Sequence, residues 1–244
     1  MNKKIINRVT VTGADNSIHP YSLVGISETF PFIEWGILLS QSTMGKYRFP
    51  NKYWLKNLED VYDSLDKELL LSGHLCGKWV RDICNGEWTI FDEDSEIAEL
   101  GYMFSRFQLN FHALEHKIDP DKFIKGFNHP LLLGCQFIFQ FDNVNNDLMN
   151  AVLEAGIDAV PLFDTSGGAG VLPEFWPKAI GKYSGYAGGL SPDNLDEQME
   201  SIIQVAGDGP IWIDAETHLR SDNDRQFDLN KVVKFLINSE KWVI

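Results

Sequence analysis

The sequence predicts a (β/α)8 barrel, and three observations carry that reading. A short β-rich run, a polar loop and an amphipathic stretch alternate along the whole chain. The pattern repeats eight times within 244 residues, close to the usual length of that barrel. No GxGxxG follows the first strand, which counts against a doubly wound open sheet, the fold alternative. One domain over residues 1–244 is expected, with no linker, low-complexity tract or sequence repeat.

The eight pairs read off in order. The first strand is Arg8–Gly13, with a helix near Pro20–Phe30. The second is Phe32–Ser40, followed by a long loop and a helix from about Lys52 to Ser64. Leu69–Leu75 is the third, with helical stretches within Lys78–Phe104, and Phe107–Phe111 the fourth, with a helix near Pro120–Phe127. Gly134–Phe141 precedes a helix at Asn145–Ala155, and Ala159–Phe163 precedes a glycine-rich loop and a short helix near Pro173–Ile180. The seventh strand runs into Gly185-Tyr-Ala-Gly-Gly-Leu-Ser-Pro-Asp-Asn194, where Ser191 is expected to be the N-cap and Pro192 the first helical residue. Pro210–Asp214 is the eighth, and the last helix covers about Leu229–Ser239.

Composition narrows the partners. Twenty-one Lys and Arg stand against 35 Asp and Glu, a net charge of −14. A chain so acidic is not expected to bind nucleic acid or an anionic membrane, which need a cationic surplus. A small anion remains compatible, because a pocket can be locally positive. Cys76, Cys84 and Cys135 form no metal or CxxC spacing, which fits a reducing compartment. The Met-Asn-Lys-Lys opening carries no apolar run of signal-peptide length, so a cytoplasmic location is expected. No cofactor is implied, and the oligomeric state is left open.

In such a barrel the site lies at the C-terminal strand ends. That selects Thr12, Asp15, the loop 41–50, His74, Cys76, Asn110, His112, Gln140, Asp142, Asp164, Gly188, Gly189, Asp214, Glu216 and His218. His112 and His116 share spacing but no HExxH pattern. Asp164 ends a strand before a glycine loop: a general acid, or an Asx-turn residue opening that loop. Gly167, Gly168 and Gly170 suit a loop that closes over a ligand. Arg48 offers a clamp for an anionic group. His74 ends the third strand between glycines and could serve as a base near neutrality, or sit satisfied in the barrel mouth. Gly188 and Gly189 let a ligand approach the backbone, and the helix behind them presents N–H groups to an anion. Asp214, Glu216 and His218 alternate and so share a face.

Leu162-Phe-Asp-Thr-Ser-Gly-Gly-Ala-Gly170, then Phe175-Trp176, then Ala187-Gly-Gly-Leu-Ser-Pro-Asp-Asn194 resemble the phosphoribosylanthranilate isomerase family in order and spacing. Val9-Thr-Val-Thr-Gly13, Lys46-Tyr-Arg-Phe49 and the final helix from Phe227 resemble it more loosely. The resemblance implies a barrel enzyme acting on a small phosphorylated, sugar-derived metabolite by acid–base isomerisation. It makes Asp164 the acid, places Thr12 where the family's basic cysteine stands, and assigns substrate or phosphate contacts to Arg48, Gly167, Gly168, Gly188 and Gly189. A hydroxyl cannot replace a thiolate as base, so His74 or a water near Thr12 is expected in that role. Ala215-Glu-Thr-His218 replaces the family's small-residue turn, so His218 or Arg220 is the expected phosphate contact there. The family's own rearrangement does not follow. Two alternatives stand beside this reading: a non-catalytic binder of a phosphorylated metabolite or nucleotide-like signal, and a metal-dependent hydrolase or lyase on Asp164, Glu216 and His218.

Overall fold

Eight parallel strands close on themselves in sequence order. They are β1 (Ile6–Thr12), β2 (Ile33–Leu39), β3 (Leu71–Leu75), β4 (Arg106–Leu109), β5 (Gln136–Phe141), β6 (Ala159–Phe163), β7 (Ser184–Ala187) and β8 (Ile211–Ala215). The seam is made by β1 and β8, with Thr10 beside Asp214 and Val11 beside Ala215. The computed structural model describes residues 3–66, 69–92, 95, 97–111, 118–127, 132, 134–141, 145–164, 166–181 and 183–244. His112, His116 and Asp142 therefore lie outside the described residues.

Seven α-helices are described: α1 (Tyr21–Thr29), α2 (Lys52–Asp63), α3 (Lys78–Cys84), α4 (Pro120–Gly126), α5 (Asn146–Glu154), α6 (Leu195–Val205) and α7 (Leu229–Ser239). Three of the seven starts are fixed by side-chain chemistry. Asn51 accepts from the N–H of Trp54 at 2.9 Å, Asp119 caps α4 ahead of Pro120, and Asp228 accepts from Asn230 and Lys231.

Two expected helix features are corrected. Residues 171–180 form no helix. Pro173 and Pro177 lie four apart, each lacking an N–H and each pushing the residue before it out of the helical region. The helix after β7 starts at Leu195, not Pro192. The Ser191 hydroxyl accepts from the N–H groups of Asp193 and Asn194 at 3.3 and 3.2 Å, so its capping serves a separate turn one step earlier. Asn194 then ties that turn down, accepting from Ser191 N–H at 2.8 Å and donating to the Gly189 carbonyl at 2.9 Å.

Strand alternation sorts the barrel into two faces. Val9, Val11, Ile33, Trp35, Ile37, Phe107, Phe137, Phe139, Ile211 and Ile213 face the helices and form the main core. The inner wall is divided. On β5 to β8 it is apolar below the mouth residues Gln140 and Asp214: Ile138, Val160, Leu162, Ala187 and Trp212 form a second cluster. On β1 to β4 it carries Thr10, Thr12, Glu34, Ser72, His74, Arg106 and Gln108, all buried. Gly36 and Gly185 are inward positions where a Cβ would stand 2.2 Å from Thr12 Oγ1 and 2.2 Å from the Trp212 ring, respectively. Among the described residues no helix is long and apolar enough to cross a membrane.

Candidate active site at the barrel mouth

The C-terminal strand ends bring Gln108, Asn110, Gln140, Asp164, Asp214 and Glu216 around a cavity of about 50 Å³, closed over by the loop after β6. At its base the Thr12 hydroxyl donates to Asp214 Oδ1 at 2.8 Å. Burial pushes the Asp214 carboxyl well above the usual carboxylate range; the Thr12 bond opposes this, and the charges of Glu216 and Asp164 add to it. Glu216 is raised by burial too, against the opposing Arg48 guanidinium and with Asp164 pushing further up. The mouth therefore holds carboxyl groups that resist ionising together.

Arg48 is held by carboxylates. Its Nη1 donates to Glu216 Oε1 at 2.5 Å and its Nε to Asp224 at 2.8 Å, while Asp15 accepts its backbone N–H at 2.8 Å. That last bond helps hold Arg48 at φ 61°, a left-handed conformation a long side chain rarely adopts. Arg220, expected as a phosphate contact, is buried instead against Asp15 at 2.6 Å and Asp224 at 2.6 Å, and donates to the Gly13 carbonyl. Asp224 and Thr217 take part in this network without having been singled out from sequence. The run Ser221-Asp-Asn-Asp-Arg225 was the available signal. Asp222, Asn223 and Asp224 all lie at positive φ, as the turn-forming Asx residues allow, between the short strands β9 (Arg220–Ser221) and β10 (Gln226–Phe227).

Asp164 accepts four hydrogen bonds: from Ser166 N–H and Oγ at 3.0 and 2.8 Å, from Gly168 N–H at 3.0 Å and from Gln140 at 3.3 Å. Its geometry is the loop-opening Asx turn weighed above. His74 is 1% exposed inside the barrel, and burial first, the charge of Arg106 second, push its pKa down to about 3. The near-neutral base expected there is replaced by a neutral imidazole. Cys76 accepts from Asn110 at 3.0 Å, and burial lifts its thiol to about 12.

Gly188 and Gly189 have φ 103° and 71°. Among the described residues the N–H groups of Gly188, Gly189 and Leu190 meet no protein acceptor. Successive N–H groups of this kind at a strand end are the backbone feature that an anion cup requires. The chain's own β6 loop now covers it: a Cβ on Gly189 would stand 2.5 Å from Leu172 N, and one on Gly188 3.1 Å from the Val171 carbonyl. Gly167, Gly168 and Gly170, all at positive φ, let that loop fold over. Thr217 Oγ1 donates to the Gly168 carbonyl at 3.1 Å, and His218 Nε2 meets the Gly170 carbonyl at 2.9 Å. His218 thus holds the loop. Among the described residues no group of three His, Cys, Asp or Glu could hold a metal ion, so Asp164, Glu216 and His218 do not assemble as the metal alternative requires.

The chain is a (β/α)8 barrel with its polar residues gathered at the C-terminal mouth. In fold it is similar to phosphoribosyl anthranilate isomerase from Thermus thermophilus, with a TM-score of 0.60, 15% identity, and 96% of this chain and 98% of that one covered. The enzyme of the same name from Pyrococcus furiosus gives 0.53 at 13% identity, covering 96% and 98%. Phospho-2-dehydro-3-deoxyheptonate aldolase from Thermotoga maritima gives 0.55 at 11% identity, covering 98% of this chain and 69% of that one. No protein-family model matches, and no curated protein does. At these identities the likeness establishes the fold.

Proposed function

We propose that the chain is an acid–base enzyme that moves a proton on a small phosphorylated, sugar-derived substrate, in a reducing cytoplasmic setting. The observation that carries the reading is the joint presence, in one mouth, of the free N–H groups of Gly188–Leu190 and the buried carboxyl groups of Asp214 and Glu216. The first suits a phosphate. The second suits proton transfer, because a carboxyl kept protonated by its surroundings can act as a general acid at neutral pH. The named activities of the structural neighbours, an isomerase of a phosphoribosyl compound and an aldolase of a phospho sugar acid, accord with that class.

In this reading Asp214 gives and takes the proton, oriented by Thr12. Asp164 anchors the β6 loop instead of serving as the acid. Arg48 and Gly168, held together over the mouth, meet the substrate once the loop lifts.

The test follows deuterium uptake from heavy water into a panel of phosphorylated aldoses, ketoses and phosphoribosylanthranilate. Wild-type protein should exchange the hydrogen next to the carbonyl of at least one compound. Asp214→Asn should lose that exchange by at least about 100-fold, the scale of general acid–base catalysis, and keep the thermal stabilisation given by inorganic phosphate. Stabilisation by a phosphorylated compound with no exchange in the panel would favour a non-catalytic binder, the reading that Thr12 in place of a thiol also supports. No stabilisation and no exchange would overturn the phosphate assignment.

A further inference from the structure

Four neighbouring residues on the inner wall present buried polar atoms that have no hydrogen-bond partner among the described residues. Ser72 and Arg106 are register partners across β3 and β4, as are His74 and Gln108 one layer higher. Ser72 Oγ, His74 Nε2, all three guanidinium nitrogens of Arg106 and Gln108 Oε1 are unsatisfied. At this level the neighbouring wall is apolar: Ile138 on β5 is the register partner of Gln108 and belongs to one cluster with Val160, Leu162 and Trp212, and the Arg106 guanidinium lies 4.5 Å over the Trp212 ring.

Charge decides what belongs there. Glu34 is the carboxylate of this layer. It already accepts from Arg8 at 2.9 Å and from Thr10 at 2.9 Å, leaving Arg106 a misaligned 3.5 Å contact. Two guanidinium groups thus share one carboxylate. Arg106 is 2% exposed, and a buried cation without a hydrogen-bonded counter-charge is costly. Asp214, one layer up, is turned to Thr12.

We propose that the barrel interior between β3 and β4 holds a small monovalent anion of halide size, bound by the Arg106 guanidinium and the Ser72 hydroxyl beneath His74. Gln108 lines the mouth cavity and is the register partner of His74, which places the site directly beneath that cavity. The site is separate from the Gly188–Leu190 cup and does not depend on what that cup binds.

The test exchanges chloride for gluconate, too large for the interior, at constant sodium concentration. Chloride should raise the melting temperature saturably, by about 3–6 °C at ten times its dissociation constant. Arg106→Gln should abolish the rise, and Ser72→Ala, a milder change, should weaken it. Equal behaviour of the two salts, or a rise that survives in Arg106→Gln, overturns the proposal. Anomalous diffraction from wild-type crystals soaked in bromide provides a readout that needs no variant to fold. A bromide peak in contact with Arg106 and Ser72 supports the site, whereas water alone at that position overturns it.

Discussion

The Thr12 hydroxyl reaches across the barrel seam to Asp214 Oδ1 at 2.8 Å, joining the first strand to the last at the floor of the mouth. Thr12 is thus a hydrogen-bond donor to a buried carboxyl. Its neighbour Gly36 leaves room for it and for His74, whose Nε2 would lie 2.9 Å from a Cβ at that position.

Asp214 makes stability depend on pH. Its folded pKa is raised, so the native state holds its proton more tightly than the unfolded chain does. That contribution is fully present below the unfolded carboxyl value of about 4 and is lost as pH rises through the folded pKa. Asn at this position still accepts from Thr12 and cannot ionise. Asp214→Asn should therefore melt above wild type at pH 8, with the difference disappearing as pH falls towards 4. Parallel melting curves at every pH would remove Asp214 as the buried acid.

Three glycines separate backbone need from packing need. At Gly185 a Cβ would lie 2.2 and 2.3 Å from the Trp212 ring and 2.7 Å from Leu162, so Gly185→Ala should cost about 3 kcal/mol through overpacking. Gly36→Ala meets the smaller Thr12 and His74 side chains and should cost about 1–2 kcal/mol. Gly25 lies exposed in α1 with nothing within 4 Å of an added Cβ, so Gly25→Ala should stabilise by about 0.4–1 kcal/mol. Urea unfolding midpoints should rank the three in that order.

Periodicity made the barrel legible because buried and polar positions recur along the strands and helices, and three helices carry a side-chain cap at the start. The expected α7 range, Leu229–Ser239, matches the observed one, since Asp228 fixes its start. The site was legible in part. Position at strand ends selects Thr12, Asp164, Asp214 and Glu216 without any geometry. Which of them holds a proton was not readable, because that depends on burial and on charges arriving from different strands. The pairing of Arg48 with Glu216 spans 168 positions, and the covering of Gly188–Gly189 by Leu172 depends on how a glycine loop folds back. Local sequence carries neither.

Arg220 and Asp15 form a buried pair that fixes the first loop against the last turn. Burial alone would raise the Asp15 carboxyl, but hydrogen bonds from Ser17 and the Arg220 guanidinium outweigh it and hold it below the ordinary carboxylate range. The pair's stabilisation is present above the unfolded value of about 4 and lost as pH falls through the lowered folded pKa. Arg220→Met leaves Asp15 buried and unpaired, and should cost about 3–5 kcal/mol at pH 7. The loss should shrink as pH falls, because Asp15 without its arginine takes up a proton more readily than the paired carboxylate does. A chemical-denaturation series from pH 3 to pH 7 measures both effects, and a pH-independent loss would assign the residue's role to packing alone.

The β6 loop is held down by donors from the far side of the mouth: Thr217 and Arg48 on the Gly168 carbonyl, His218 on the Gly170 carbonyl. Each neutral bond of this kind contributes about 1 kcal/mol, or roughly 5-fold in an opening equilibrium. Thr217→Val keeps the side-chain shape and removes one donor, and His218→Ala removes another. Together they should speed amide exchange at residues 166–172 by about 20–30-fold. Because Val171 and Leu172 sit over the N–H cup, inorganic phosphate should bind the double variant more tightly by a similar factor while the closed form predominates. Faster exchange without tighter phosphate binding would mean that the loop covers the cup without competing for it. Unchanged exchange would mean that Asp164, through Ser166 and Gly168, holds the loop by itself.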